Sequence, residues 1–441
     1  MADNVYLRRH AARAVRQVKK RRLRPRRLAV RTPAFHAGNT GSIPVGVIEA
    51  QNASGVLGLV AFTATTVAST IRHGAWLNPE VRLAAKLQVG PQTSRMVNPL
   101  PSYDAILIVS FGGPEGPDEV MPFLENVLRG KPVPRERMLE VAEHYQHFGG
   151  VSPINEQNRQ LIAALQQELA THGPQLPIYW GNRNWHPLLP ETLSQMASDG
   201  VQRALAFFTS AFSSYSGCRQ YRENIAAAQA EVGPTAPQVD KQRVFYNHPG
   251  FIEPMAESLA TCLAEIPVDR RRGARVLFTA HSIPLAMAEN CRYEVQLAEA
   301  CRLVAERAGL RPDEWELVYQ SRSGSPQQPW LEPDVCDRIE QLHAEGELSE
   351  LVVVPIGFIS DHMEVLFDLD TEARELCDRL GVRMQRAATV GVHPRFVRMI
   401  RELIVERIEN ATDRPALGAL GASHDVCPAD CCVYLPSRPK Q

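Results

Sequence analysis

The run Asp104-Ala105-Ile106-Leu107-Ile108-Val109-Ser110 stops on Phe111-Gly112-Gly113-Pro114. Five consecutive apolar residues leave neither side of a pleated strand polar, so the run predicts a strand buried on both faces. Glycine and proline then end it. Seven more short apolar runs follow, at 177–180, 204–208, 243–246, 274–279, 315–319, 351–356 and 382–386. Amphipathic stretches such as 155–172, 332–344 and 394–409 separate most of them. Buried strands alternating with helices indicate parallel sheets covered on both faces.

Eight strands divide into four plus four, with the break near 248–270. The expected fold class is α/β, with two similar Rossmann-like halves. Each half has a four-stranded parallel sheet flanked by helices, and the ligand cleft lies between them at the carboxyl ends of strands. The expected boundaries are 99–262 and 263–412 for the halves, after a basic extension at 1–98 and before a Cys-containing tail at 413–441. No short-period repeat is visible.

A chain of 441 residues suits two or three domains. With 44% hydrophobic and 22% charged residues it is not collagenous, not a disulfide mini-protein and not disordered throughout. The net charge of −1 conceals an asymmetry. Residues 1–31 carry twelve Lys/Arg against the single acid Asp3, so the rest is acidic and offers no general nucleic-acid face. The extension reads as disordered. A nucleic-acid or membrane-surface tail, and a stretch lying upstream of a start at Met96, are the alternatives. Removing 1–95 is expected to leave the catalytic body intact.

No run reaches the roughly 18 uncharged apolar residues of a membrane span, since 55–70 is interrupted by five Thr/Ser. No cleavable leader is evident, so a cytoplasmic, soluble monomer without an integral membrane segment is the default expectation. The nine cysteines are scattered except for Cys427, Cys431 and Cys432. That suits metal binding or free thiols better than a disulfide framework.

Two strand ends could carry chemistry. In Thr279-Ala280-His281-Ser282-Ile283-Pro284 the histidine stands where an apolar strand stops. Beyond the strand at 351–356, a helix starting near Asp361 would place Asp361, Glu364, Asp368 and Glu372 on one face, at spacings of three, four and four. Like charges so spaced are mildly destabilising, and a solvated face would more often interleave Lys or Arg. The pattern suits the handling of cations or protons. Imidazole with carboxylate fits a divalent first-row metal such as Fe(II) and equally an acid/base pair.

Other stretches read as ligand walls. Ser152, in the loop 149–154 entering a helix, could meet an anion or simply cap the helix. The segment 209–221, with Tyr221, is rich in hydroxyls and rings and suits a flat ligand with acidic edges. Gln320 to Gly324 and Pro329-Trp330 follow another strand. Arg129 and Lys131 flank a tight turn and could bind carboxylates. In the tail, three thiols within six residues suit an iron–sulfur cluster, zinc or free thiols. A cluster needs a fourth ligand, for which Cys218 and Cys291 are candidates. Cys262, Cys301, Cys336 and Cys377 fall on helical faces and read as packing.

The sequence resembles the ferrochelatase family over about 103–410. The resemblance rests on SFGGPEGP at 110–117, FGGVSPIN at 148–155, GNRNWHP at 181–187, TAHSIP at 279–284, QSRSG at 320–324, PWLEPDV at 329–335 and PIGFISDHMEVLFDLD at 355–370. It implies insertion of Fe2+, the substrate metal, into a porphyrin. His281 and Glu364 would form the metal-insertion pair. Ser152 and Tyr221 would hold propionates, with Phe111, Arg129 and Tyr145 also lining the porphyrin site. Asp368 and Glu372, with Asp361, would form the acidic relay. The three-Cys tail resembles actinobacterial members, many of which carry a 2Fe–2S cluster and are thought to act on coproporphyrin III. Some bacterial relatives have a Tyr at position 111 that can touch the iron from the opposite face, which Phe111 cannot.

The resemblance also implies a route. The cleft would bend the porphyrin, His281 would take a pyrrole proton or bind metal, and the carboxylates would draw in Fe(II) and relay protons out. A planar product would fit the bent pocket less well. Three alternatives remain open from sequence: protoporphyrin IX as substrate, cobalt or nickel insertion into a related tetrapyrrole, and a non-catalytic haem- or metal-binding protein on the same fold.

Overall fold

In the computed structural model, β1 (Ala105–Ser110) is buried at every residue, which the unbroken AILIVS sequence requires of a strand covered on both sides. The structure describes residues 102–130, 133–323, 328–346 and 348–434. The basic extension with Met96, and Lys131, lie outside them.

Beside β1 run β2 (Ile178–Asn182), β3 (Arg203–Phe208) and β4 (Gln238–Lys241), in the order β2-β1-β3-β4, all parallel. The second sheet repeats this plan: β5 (Ala274–His281), β6 (Trp315–Gln320), β7 (Glu350–Val354) and β8 (Arg383–Arg386) stand in the order β6-β5-β7-β8, also parallel. Two four-stranded parallel sheets flanked by helices are thus the fold class the sequence implies.

One expected strand is misplaced. The fourth strand is Gln238–Lys241, not 243–246. Arg243 to Tyr246 form a buried loop instead, with Phe245 and Tyr246 each 1% exposed. Phe245 stacks on Phe207 and meets Phe251 and Phe396 edge-on. Core burial, rather than strand pairing, explains its apolar sequence.

Twelve α-helical segments are described: α1 (Val120–Val127), α2 (Arg135–His147), α3 (Ile154–His172), α4 (Leu189–Ser198), α5 (Gln220–Val232), α6 (Pro249–Glu265), α7 (Leu285–Ala288), α8 (Tyr293–Arg307), α9 (Val335–Ala344), α10 (Met363–Val365), α11 (Arg374–Leu380) and α12 (Pro394–Glu409). Two π-helical segments interrupt them, Tyr215–Arg219 before α5 and Leu366–Ala373 between α10 and α11. The expected break at 262/263 falls inside α6, which continues to Glu265.

The halves share one core. Leu161, Leu165 and Leu169 on α3 belong to the same apolar cluster as Ile400, Leu403 and Ile404 on α12. The last helix therefore crosses back onto the first half, and Arg401 pairs with Glu168 at 3.1 Å alongside. At the end of β1, Gly113 and Gly150 bring two loops together. A Cβ on Gly113 would come within 2.7 Å of the Ser152 Cβ. One on Gly150, where φ is +75°, would come within 2.3 Å of the Pro117 Cα.

Candidate active site

His281 ends β5, and Glu364 lies in the short helix that follows β7, so both stand at carboxyl ends of neighbouring strands. His281 Nε2 is 3.6 Å from Glu364 Oε1. The side chains are 31% and 47% exposed, which leaves the pair open to a ligand in the cleft. His281 Nδ1 faces the Ser282 carbonyl. With the proton on Nδ1 engaged there, Nε2 is the nitrogen turned to the cleft. Burial lowers the affinity of His281 for its proton, but Glu364 and the Ser282 carbonyl outweigh that and hold its pKa above the ordinary value. For Glu364, burial pushes the pKa up, and the charge and hydrogen bond of His281 bring it well below the usual carboxylate range. The resting pair is imidazolium and carboxylate.

Behind Glu364 the helix widens into the π-helical Leu366–Ala373. Asp368 is pushed up to about 7 by burial first, then by the charges of Glu364 and Glu372 against a lowering bond from Ser321. The Ser321 hydroxyl donates to its Oδ2, and Gln320 Nε2 donates to the same oxygen at 3.2 Å. Glu372 is raised by burial, Asp334 and Glu375, with Arg137 of α2 opposing. Glu364, Asp368 and Glu372 thus form a coupled row.

Asp361 does not belong to that row. The helix starts at Met363 with His362 as its cap, two residues later than the spacing predicts. Both Asp361 oxygens instead accept from Arg386, at 3.1 and 3.3 Å, and Thr389 bonds one of them at 3.3 Å. An aspartate so neutralised has no free charge for incoming cations. Its backbone N–H donates to Gln157 Oε1 on α3 at 2.8 Å, which links the two halves.

The opposite wall is aromatic. Phe123 meets the rings of Phe111, Tyr145 and Trp185 edge-on. Phe111 itself is 36% exposed. Tyr145 lies close enough to Glu364 for that carboxylate to raise its pKa, after burial as the larger cause. Its neighbour His144 stacks on Phe367 of the π segment, ring centroids 3.7 Å apart, so α2 reaches across to the second half.

Ser152 is buried, and Pro153 rather than Ser152 caps α3, which leaves the simple capping role unfilled by it. Tyr221 is also buried, tilted against Phe208, with the Arg183 guanidinium 4.5 Å above its ring. Arg183 also lies 5.7 Å from the centre of the Phe111 ring. Sequence reasoning overlooked this cation, although it stands in the quoted motif after β2. It overlooked His362 too. Arg129 is exposed beyond α1, and its side chain pairs with nothing among the described residues.

The tail thiols converge. Cys431 and Cys432 Sγ are 3.5 Å apart. A positive φ of 56° at Cys432 turns these adjacent side chains to the same side. Cys218 and Cys427 shift each other's ionisation. Their interaction, then burial, raises Cys218, while the same interaction depresses Cys427 to about 4, helped by Lys241 and His424 against burial. Cys431 interacts with Cys427 in turn. Cys291 directs its thiol to the Ala288 carbonyl at 3.5 Å. Of the two expected partners, Cys218 is the one whose ionisation the tail shifts most, with Cys427 its first cause, while Cys291 feels Cys431 more weakly. Four thiols so linked suit the all-cysteine ligand set of an iron–sulfur cluster. Cys301 and Cys377 are buried, whereas Cys262 and Cys336 are only half-buried.

A cleft between parallel-sheet halves, with an imidazole and carboxylates at its strand ends, defines a metal-handling α/β enzyme. The ferrochelatase family model matches residues 103–408. The chain belongs to the ferrochelatase family: it is a metal chelatase whose substrates are Fe2+ and a porphyrin, acting in haem synthesis. It is 63% identical over 340 residues to a ferrochelatase of Rhodopirellula baltica, covering 77% of this chain and 96% of that one. It is 51% identical over 358 residues to a coproporphyrin III ferrochelatase of Streptomyces coelicolor, covering 76% and 95%. Among solved structures it is similar to a cobalt complex of the sirohydrochlorin chelatase of Bacillus subtilis subspecies spizizenii, at 13% identity and a TM-score of 0.41 over 70% and 97% of the chains. Among the described residues no helix is long and apolar enough to cross a membrane.

Proposed function

We propose that this chain inserts ferrous iron into coproporphyrin III. The observation that carries the reading is the His281–Glu364 pair, 3.6 Å apart and open to the cleft. A porphyrin against the aromatic wall at Phe111 and Tyr145 would present its nitrogens to His281. Nε2 of His281 takes a pyrrole proton in the neutral form of the imidazole, after its own proton has left to solvent through the open cleft. Glu364, with Asp368 and Glu372 behind it, attracts Fe2+ and carries protons away. Asp368, pushed up to about 7, can both accept and release a proton near neutral pH. Ser152, Tyr221 and Arg129 are read as propionate contacts, and Arg183 joins them as a fixed cation beside Tyr221.

Coproporphyrin has four propionates to protoporphyrin's two, and Ser152, Tyr221, Arg129 and Arg183 offer several anchors for them. The Streptomyces relative, named for coproporphyrin III, supports the same reading. The test is an anaerobic assay of the purified protein with both porphyrins and with iron, cobalt and nickel. A higher kcat/KM for coproporphyrin III with Fe2+ is expected. A preference for protoporphyrin IX would overturn the substrate, and no metalloporphyrin from any pair would leave a binding protein instead.

We also read Cys218, Cys427, Cys431 and Cys432 as ligands of a 2Fe–2S cluster. When bound, such a group supplies a one-electron couple and pins the tail. The halves are read as 99–262 and 263–412 in outline, with the boundary itself moved to the end of α6 at Glu265. Since one chain carries both walls of the cleft, a monomer suffices, and we read its location as cytoplasmic. Anaerobic purification with iron and acid-labile sulfide analysis tests the cluster, and a colourless protein without sulfide would reject it.

A further inference from the structure

His424 lies three residues before Cys427 and was not among the expected ligands. Its Nε2 is 3.9 Å from Cys431 Sγ, and its presence lowers the pKa of Cys427. The ligating atoms of His424, Cys427 and Cys431 all lie within 4.8 Å of one another. The imidazole is exposed, but the backbone that carries it is held in place. Arg414 holds the chain on both sides of it, donating to the Ser423 carbonyl at 2.7 Å and pairing with Asp425 at 3.1 Å. Arg414 is itself fixed by Glu406 at 2.9 Å. On the far side of the loop, Arg219 Nη1 donates to the Ala429 and Cys431 carbonyls at 2.8 and 3.0 Å.

Four thiols already complete a cluster's ligand set, so a fifth donor is surplus to ligation. What the imidazole can offer is an N–H. Reduction adds an electron to a cluster whose thiolates are already negative, and a donor aimed at those sulfurs stabilises the added charge. Hydrogen bonds to ligand sulfurs are among the levers that set such potentials.

We propose that His424 donates a hydrogen bond to the Cys427 and Cys431 thiolates and thereby raises the reduction potential of the tail cluster. This rests on the 2Fe–2S reading above. The test compares the full-length chain with His424→Ala and His424→Gln, purified anaerobically. Iron and acid-labile sulfide are counted, and the midpoint potential is read from a dye-mediated dithionite titration followed by electron paramagnetic resonance. His424→Ala is expected to keep its iron and sulfide and titrate at a lower potential, and His424→Gln, which retains an N–H, to recover part of the shift. An unmoved potential with the cluster intact would overturn the proposal alone. Cluster loss in His424→Ala would overturn it in favour of ligation by His424. Absence of sulfide from the unaltered chain would reject the cluster reading and this proposal with it.

Discussion

His281 and Glu364 hold opposite charges 3.6 Å apart in an open cleft, and each depends on the other for its protonation state. His281→Ala and Glu364→Gln are each expected to lower porphyrin metallation by about 100-fold or more, with far-ultraviolet circular dichroism unchanged. Near-normal turnover in either variant would move the site elsewhere. Asp368 gives a pH test. Its carboxyl, pushed up to about 7, is neutral below that pH and charged above it. Attraction of Fe2+ should therefore rise through pH 7, and kcat/KM for iron in Asp368→Asn should lose that limb. The same shift has a stability sign. A raised acid holds its proton more tightly when folded, so its contribution is full below the unfolded value and is lost as pH rises through about 7. Asp368→Asn should accordingly gain melting temperature relative to the parent more at pH 8 than at pH 4.

Elements were readable from sequence where one physical signal decided them. The helix at 394–409 starts on a proline and keeps one apolar face, and α12 occupies those residues. Edge strand β4 was not readable, because Gln-Val-Asp-Lys pairs on one side only and needs no apolar run. The π turn at Leu366–Ala373 was hidden as well, since side-chain spacing looks much alike at either helical pitch. His281 and Glu364 were legible at strand ends, whereas the neutralisation of Asp361 depends on Arg386, far along the chain. Glycine at 150 belongs to this scale too. With φ at +75° and Pro117 2.3 Å from any Cβ, Gly150→Ala should cost about 2–4 kcal/mol. Chemical denaturation measures that cost. A higher KM for porphyrin should accompany it, because the displaced loop carries Ser152, and a loss below about 1 kcal/mol would contradict the crowding.

Across the whole molecule, Arg243 and Glu406 form a buried double hydrogen bond at 2.7 and 2.9 Å, joining the loop after β4 to α12. Removing one partner strands the other, so Glu406→Gln should destabilise by about 3–5 kcal/mol. Burial raises the pKa of Glu406, but Arg243 and Arg414 outweigh it and hold it low. The stability this pair lends is thus present above the unfolded carboxyl value and lost as pH falls through the folded one. In acid titrations of melting temperature, Glu406→Gln should show a shallower decline. The placement of α12 also matters while the chain is being made. Its Ile400, Leu403 and Ile404 cover α3 of the first half, yet α3 leaves the ribosome long before α12 exists. At about 5–20 residues per second, that apolar face stays uncovered for on the order of ten seconds or more. Newborn first halves must pass this interval shielded by other proteins or loosely collapsed, and the shared core is completed only when the last described helix has been translated.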